Sequence, residues 1–154
     1  MTRAILIASD HAGFFLKEKI KSYLERQNFR VKDLGTHSPE SCDYPYFASR
    51  LATQISQKKY SRGILICKTG LGSAIVANRF PGVRASLCYN VTAARLTRQH
   101  NDSNVLVLGS LFVKTDLAKR ITKVWLNTEF SAGRHRRRLS QIRKIERQIR
   151  CDKR

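Results

Sequence analysis

Short apolar runs alternate with longer amphipathic stretches along most of this chain. "AILIAS" (Ala4–Ser9) is apolar without a break and of strand length, the pattern of a strand buried on both faces. From about Phe14 to Gln27, the residues Phe15, Leu16, Ile20, Tyr23 and Leu24 recur at helical spacing. "FRVKDLG" alternates apolar and polar positions and predicts a second strand stopped at Gly35, followed by the turn-forming loop "THSPESCDYP". "YFASRLATQIS" predicts a helix with Pro45 at or just before its first turn. A third strand, "RGILICK", runs into a glycine-rich turn and a short helix to about Asn78. After the turn "FPG" come a fourth strand "VRASLCY", a helix over Thr92–Gln99, a fifth strand "NVLVLGS" and a helix over Asp116–Leu126. Strands alternating with helices imply right-handed βαβ units. The expectation is one three-layer, Rossmann-like α/β domain over residues 1–154, with a mostly parallel five-stranded sheet and a C-terminal helix.

Charge changes this picture at the C-terminus. The 154-residue chain carries a net charge of +19. Between Ser131 and Arg154, ten Lys and Arg stand against two acids, so +8 of the total lies in 24 residues. Residues 131–154 therefore read as a basic helical arm on a globular body. Within it, Leu139, Ile142, Ile145 and Ile149 share one helical face of Arg138–Arg150. That stripe needs burial, against a partner subunit or its own domain, and the pattern does not choose. Such a field attracts polyanions and phosphorylated small molecules alike. No aromatic residue follows Phe130, so base stacking by the arm has no support and nucleic acid is the weaker partner class. No apolar run approaches the roughly 20 residues that span a bilayer, and the N-terminus does not read as a signal peptide. A cytoplasmic protein without membrane contact is expected. Cys42, Cys67, Cys88 and Cys151 form no C-x-x-C pair, and the four histidines show no ligand spacing against them, so neither a metal nor a disulfide framework is expected.

Candidate chemistry gathers where ligands bind in open parallel sheets, at the carboxyl ends of strands. Ser9-Asp10-His11 follows the first strand and Cys67-Lys68-Thr69-Gly70 the third, and Arg98-Gln99-His100-Asn101, just before the fifth, is grouped with them. "TGLGSA" is only a partial dinucleotide fingerprint, and no acid closes the next strand to hold a ribose. The turn does offer backbone N–H groups to an anion. Cys67 stands beside that turn and Lys68, both of which favour a thiolate. Such a thiolate suits nucleophilic attack or abstraction of a carbon-bound proton.

"SDHAGFFLK", "DLGTHSPESCDYP", "GILICKTGLG", "RQHNDSNVLVLG" and "GRHRRRL" occur in this order over nearly the whole chain. In these motifs the sequence resembles the type B ribose-5-phosphate isomerases, a family that includes allose- and galactose-6-phosphate isomerases. The resemblance implies an aldose–ketose isomerase of the pentose phosphate pathway, free of metal and cofactor, working through a cis-enediolate. Ribose 5-phosphate and ribulose 5-phosphate are the leading pair. A hexose 6-phosphate is the alternative, and a further one is an inactive member with a nucleic-acid-binding tail. By position, Cys67 matches the base that moves a proton between C1 and C2. Thr69, Gly70, Leu71 and Gly72 match the loop whose N–H groups hold the enediolate oxygen. His100 matches the ring-opening acid/base, with Asp10 placed to assist, and Asn101 matches a donor to substrate oxygens. His11, Arg134 and Arg138 match phosphate and hydroxyl contacts, and Tyr44 matches a residue lining the site. The partners so implied are a phosphorylated sugar and a second copy of the chain, in a homodimer or tetramer whose sites each draw on two chains.

Two positions depart from the family pattern. Lys68 stands where a glycine is usual, and Leu111, after "VLVLGS", stands where a substrate-contacting arginine is usual. One cation has left the neighbourhood and one has entered: Lys68 is an expected substrate contact that replaces the lost charge, and an altered substrate or a weakened enzyme fits the exchange equally.

Overall fold

The computed structural model describes residues 4–151. Five strands, β1 (Ile5–Ser9), β2 (Val31–Asp33), β3 (Gly63–Cys67), β4 (Ala85–Leu87) and β5 (Val105–Gly109), form one sheet in the order β2-β1-β3-β5-β4. Every neighbouring pair is parallel. The expected Rossmann-like α/β architecture is therefore present, with a sheet that is wholly parallel.

The central strands β1, β3 and β5 are buried at all five positions, which is why they read as unbroken apolar runs. Their alternate side chains serve two cores. Ile5, Ile7, Ile64, Ile66, Leu106 and Leu108 face one, where α1 (Phe14–Arg26) and α5 (Thr115–Asn127) bring Ile20, Leu24, Ile121 and Trp125. Leu6, Ala8, Leu65, Val105 and Val107 face the other, closed by α2 (Tyr44–Ser56) with Ala48, Leu51 and Ala52 and by Ala77 of α3 (Leu71–Ala77). The edge strands β2 and β4 span three residues each, shorter than their seven-residue patterns suggested. An edge strand has one neighbour, so its ladder ends where that neighbour turns away.

Four helices exceed their predicted bounds, α2 and α5 by at most two residues at an end. α4 (Val91–Asn101) carries Gln99, His100 and Asn101 on its last turn, and α6 (Gly133–Cys151) starts five residues before Arg138. His135 and Leu139 are buried beneath α6, whereas Ile142, Ile145 and Ile149 are exposed. The Glu146 carboxylate accepts from Gly82 N–H at 3.1 and 3.3 Å, holding the distal half of α6 to its own chain. The apolar stripe is thus split, its first half packed at home and its second half open.

One buried ion pair ties the sheet to α1. Lys17 is fully buried, and its Nζ donates to Asp33 Oδ2 at 2.5 Å and to Glu18 Oε1 at 2.6 Å. Asp33 Oδ1 accepts from Gly35 N–H at 2.9 Å. Burial pushes the Asp33 carboxyl up, but the Lys17 ammonium, the Gly35 N–H and Lys21 together outweigh it and hold the group below its ordinary 3.8. A depressed folded-state value gives stability that is present above the unfolded value and lost as pH falls through the folded one. Asp33→Asn should therefore lower the unfolding free energy by about 3 kcal/mol at neutral pH, because Lys17 stays buried without its main partner. Urea unfolding at a series of pH values below 5 should show the wild-type advantage shrinking as acid is added. A difference that does not change with pH would assign the loss to packing instead.

Candidate active site

The turn after β3 is built around Cys67 and Gly70. Gly70 sits at φ +82, in the left-handed region, and a Cβ there would collide with Leu87 Cδ1. This conformation turns the Gly70 N–H back on the buried Cys67 Sγ at 3.1 Å. The Leu71 N–H reaches Thr69 Oγ1 at 3.3 Å. Gly72 and Ser73, in the first turn of α3, have no helical acceptor for their N–H groups. Gly72 also lets the Tyr44 ring approach, since a Cβ would lie only 2.4 Å from Tyr44 Cζ.

Around this turn stand the residues after β1. Asp10 is buried; its Oδ1 accepts from Gly13 N–H at 2.9 Å, and its own N–H donates to Ile66 O at 3.3 Å. Burial raises the Asp10 carboxyl above its ordinary value, against the opposing pull of the Gly13 N–H and of His11. The group therefore takes a proton more readily than a surface aspartate. His11 Nδ1 is gripped by the Cys42 backbone, accepting from its N–H at 3.1 Å or donating to its carbonyl at 3.0 Å according to tautomer. Either way Nε2 is left to a ligand. Asp10, His11, Tyr44, Cys67, Lys68, Thr69, Gly70, Leu71 and Gly72 thus share the carboxyl edge of the sheet.

His100, Asn101, Arg134 and Arg138 do not share it. α4 ends just ahead of β5, and Val105 at the start of β5 pairs with Gly63, while Cys67 pairs with Gly109. Four residues of strand, about 13 Å, therefore separate the end of α4 from the level of Cys67. Grouping Arg98–Asn101 with the carboxyl ends was incorrect: they lie at the amino edge of the sheet. Within one chain Asp10 is correspondingly not placed to assist His100. The α4 terminus is held by Arg98, whose guanidinium donates to Ser103 O at 2.6 Å, to Asp102 Oδ1 at 2.8 Å and to Thr128 O at 3.2 Å. Arg134 and Arg138 stand four residues apart on α6, both exposed beside this terminus.

Four contacts at the carboxyl edge were missed in the sequence. The Tyr89 hydroxyl donates to Thr69 O at 3.2 Å, and its ring meets Phe112 edge-on at 5.1 Å. Ser110 Oγ donates to Ala12 O at 2.8 Å, while its N–H donates to Cys67 O at 2.9 Å. Tyr89 and Ser110 follow β4 and β5, so the carboxyl-end rule applied to all strands would have found them. A shallow cleft of about 650 Å³ lined by Lys32, Arg50 and Tyr60 includes none of these side chains.

A parallel α/β sheet with a thiol, a carboxyl, an imidazole and a glycine turn at one edge defines a small-molecule enzyme of the Rossmann-like class. Residues 5–142 match the family model described as Ribose/Galactose Isomerase, and the chain belongs to that family. It is 44% identical over 144 residues to ribose-5-phosphate isomerase B of Escherichia coli, covering 94% of this chain and 97% of that one. The solved ribose-5-phosphate isomerase B of Clostridium thermocellum superposes with a TM-score of 0.93 at 45% identity, covering 95% and 99% of the two chains. That of Mycoplasma genitalium, solved with bound ribulose 5-phosphate, superposes at 0.91 with 39% identity, covering 96% and 98%.

Proposed function

We propose that this chain interconverts ribose 5-phosphate and ribulose 5-phosphate through an enediolate. The observation that carries the mechanism is the buried Cys67 sulfur beside the glycine turn, at the same sheet edge as Asp10 and His11. Cys67 takes the proton from C2 of the open-chain aldose as the electron pair moves onto the C1 carbonyl oxygen; the C2 hydroxyl proton passes to O1 as the carbonyl re-forms at C2, and Cys67 delivers a proton, exchangeable with solvent, to C1. The Gly72 and Ser73 amides, which have no helical acceptor, hold the developing oxyanion, joined by those of Thr69, Gly70 and Leu71 once the last two leave Cys67 Sγ and Thr69 Oγ1. His11 Nε2 and the Arg134 and Arg138 guanidinium groups take the phosphate. His100 opens the sugar ring with Asp10, Asn101 donates to substrate oxygens, and Tyr44 walls the site.

Because the two groups lie at opposite edges of one sheet, the second group comes from another copy of the chain. A homodimer in which the amino edge of one protomer meets the carboxyl edge of its partner brings His100, Asn101, Arg134 and Arg138 to Cys67. Exposed Leu71, Ile75, Leu111 and Phe112 ring the carboxyl edge and give such a contact apolar area. Residues 131–154 act in this reading as an arm of a single isomerase domain. Four free cysteines agree with a cytoplasmic setting. Turnover of ribose 5-phosphate beside allose and galactose 6-phosphates tests the substrate. The expected result is clear preference for the pentose, and turnover of a hexose phosphate alone would overturn it.

The two unusual positions adjoin each other. Leu111 N–H donates to Lys68 O at 2.9 Å, so a cation on residue 68 starts from the backbone that carries residue 111. Lys68 is exposed and its ammonium forms no ion pair among the described residues. Lys68→Gly should raise KM for ribose 5-phosphate, and adding Leu111→Arg should restore part of the loss, a coupling of about 1 kcal/mol. Independent effects of the two substitutions in the four-variant cycle would return Lys68 to the role of a solvated side chain.

A further inference from the structure

The imidazole of His135 lies flat against that of His100, with centroids 4.2 Å apart and planes 12° from parallel. These are the side chains of the last turn of α4 and the first turn of α6. His135 is buried and His100 half-buried, so one ring is the floor and the other is presented. The joint is braced on both sides. Ser131 N–H donates to Gln99 O at 3.0 Å, and His135 N–H donates to Ala132 O at 3.0 Å.

We infer that His135 is a positioning residue for ring opening, holding the imidazole plane of His100 so that its ring-edge nitrogen meets the sugar hydroxyl. The inference rests on the proposed ring-opening role of His100. A stacked neighbour occupies one face of the ring and restricts its second torsion, which is otherwise broad. It leaves the edge, where both nitrogens lie, uncovered. Burial, followed by the charges on His100, Arg134 and Arg138, keeps the His135 imidazole below its ordinary value and therefore neutral near neutral pH. A neutral floor adds no second charge against His100 when that ring accepts the proton of the sugar hydroxyl. Its contribution is shape, and a flat ring that cannot titrate should replace it.

The chemistry supplies a readout separate from stability. Ribose 5-phosphate closes a ring through its C4 hydroxyl and must be opened before C2 can lose its proton. Ribulose 5-phosphate, whose C5 oxygen is esterified, stays open-chain, so exchange of its C1 proton with solvent deuterium needs Cys67 but no ring step. His135→Ala should lower kcat for ribose 5-phosphate at least tenfold while C1 exchange from ribulose 5-phosphate changes less than twofold. His135→Phe should restore most of the forward rate, and His100→Asn should reproduce the pattern of the alanine variant. Equal losses in both measurements for His135→Ala, or a phenylalanine variant as slow as the alanine one, would overturn the inference. So would a soluble, dimeric alanine variant with wild-type turnover. If His135→Ala does not fold, the phenylalanine variant decides: slow turnover with intact exchange contradicts the flat-floor role. A His100→Asn enzyme with full activity on ribose 5-phosphate would instead remove the reading on which the inference stands, whatever His135 does.

Discussion

Cys67→Ala should abolish isomerisation of ribose 5-phosphate and, with it, exchange of the C1 proton of ribulose 5-phosphate. Losing a positioned acid/base costs about 10²–10⁴ in rate. The loss should lie toward the upper end, because within this edge only Asp10 also has the burial and the raised carboxyl value needed to handle a proton. Stability should change little. The thiol is small, and its polar contact is one N–H, that of Gly70, at 3.1 Å. Alanine keeps the Cβ and leaves the left-handed Gly70 conformation intact. Ligand retention separates chemistry from folding: the variant should still bind ribose 5-phosphate, since His11 and the turn amides remain. Measurable C1 exchange in a pure variant would reassign the base, with Asp10 the first replacement to test.

A second large effect follows from the two edges. Cys67→Ala chains lack the carboxyl-edge base, and His100→Asn chains lack the amino-edge group. If each site takes one edge from each protomer, neither homodimer turns over cyclic ribose 5-phosphate at a useful rate. A hybrid dimer has one site with both lesions and one with neither. Unfolding and refolding an equal mixture should therefore recover about a quarter of the wild-type activity, because half the dimers are hybrids with one good site each. Recovery should track hybrid formation measured with a mass or affinity tag on one variant. A site contained in one chain predicts no recovery at any mixing ratio. The geometry argues against containment, since about 13 Å of strand separates the two levels of the sheet.

Much of this protein is legible in the order of its residues. β1, β3 and β5 are apolar runs because both their faces are covered, and a doubly buried strand cannot hide polar side chains. Asp10, His11 and Cys67 through Gly72 are legible as a candidate site because each group follows its own strand, and all strands of a parallel sheet end at one edge. Gly70 announces its turn because only a residue without a Cβ fits at φ +82 against Leu87. Tertiary structure decided the rest. It cut β2 and β4 to three residues each, because pairing length depends on a neighbour that local pattern does not contain. It moved His100, Asn101, Arg134 and Arg138 to the opposite edge, because a helix returning from a parallel strand ends where the next strand begins. It also laid His135 on His100, a contact between residues 35 positions apart on two helices, which no period in either helix encodes and only their packing creates.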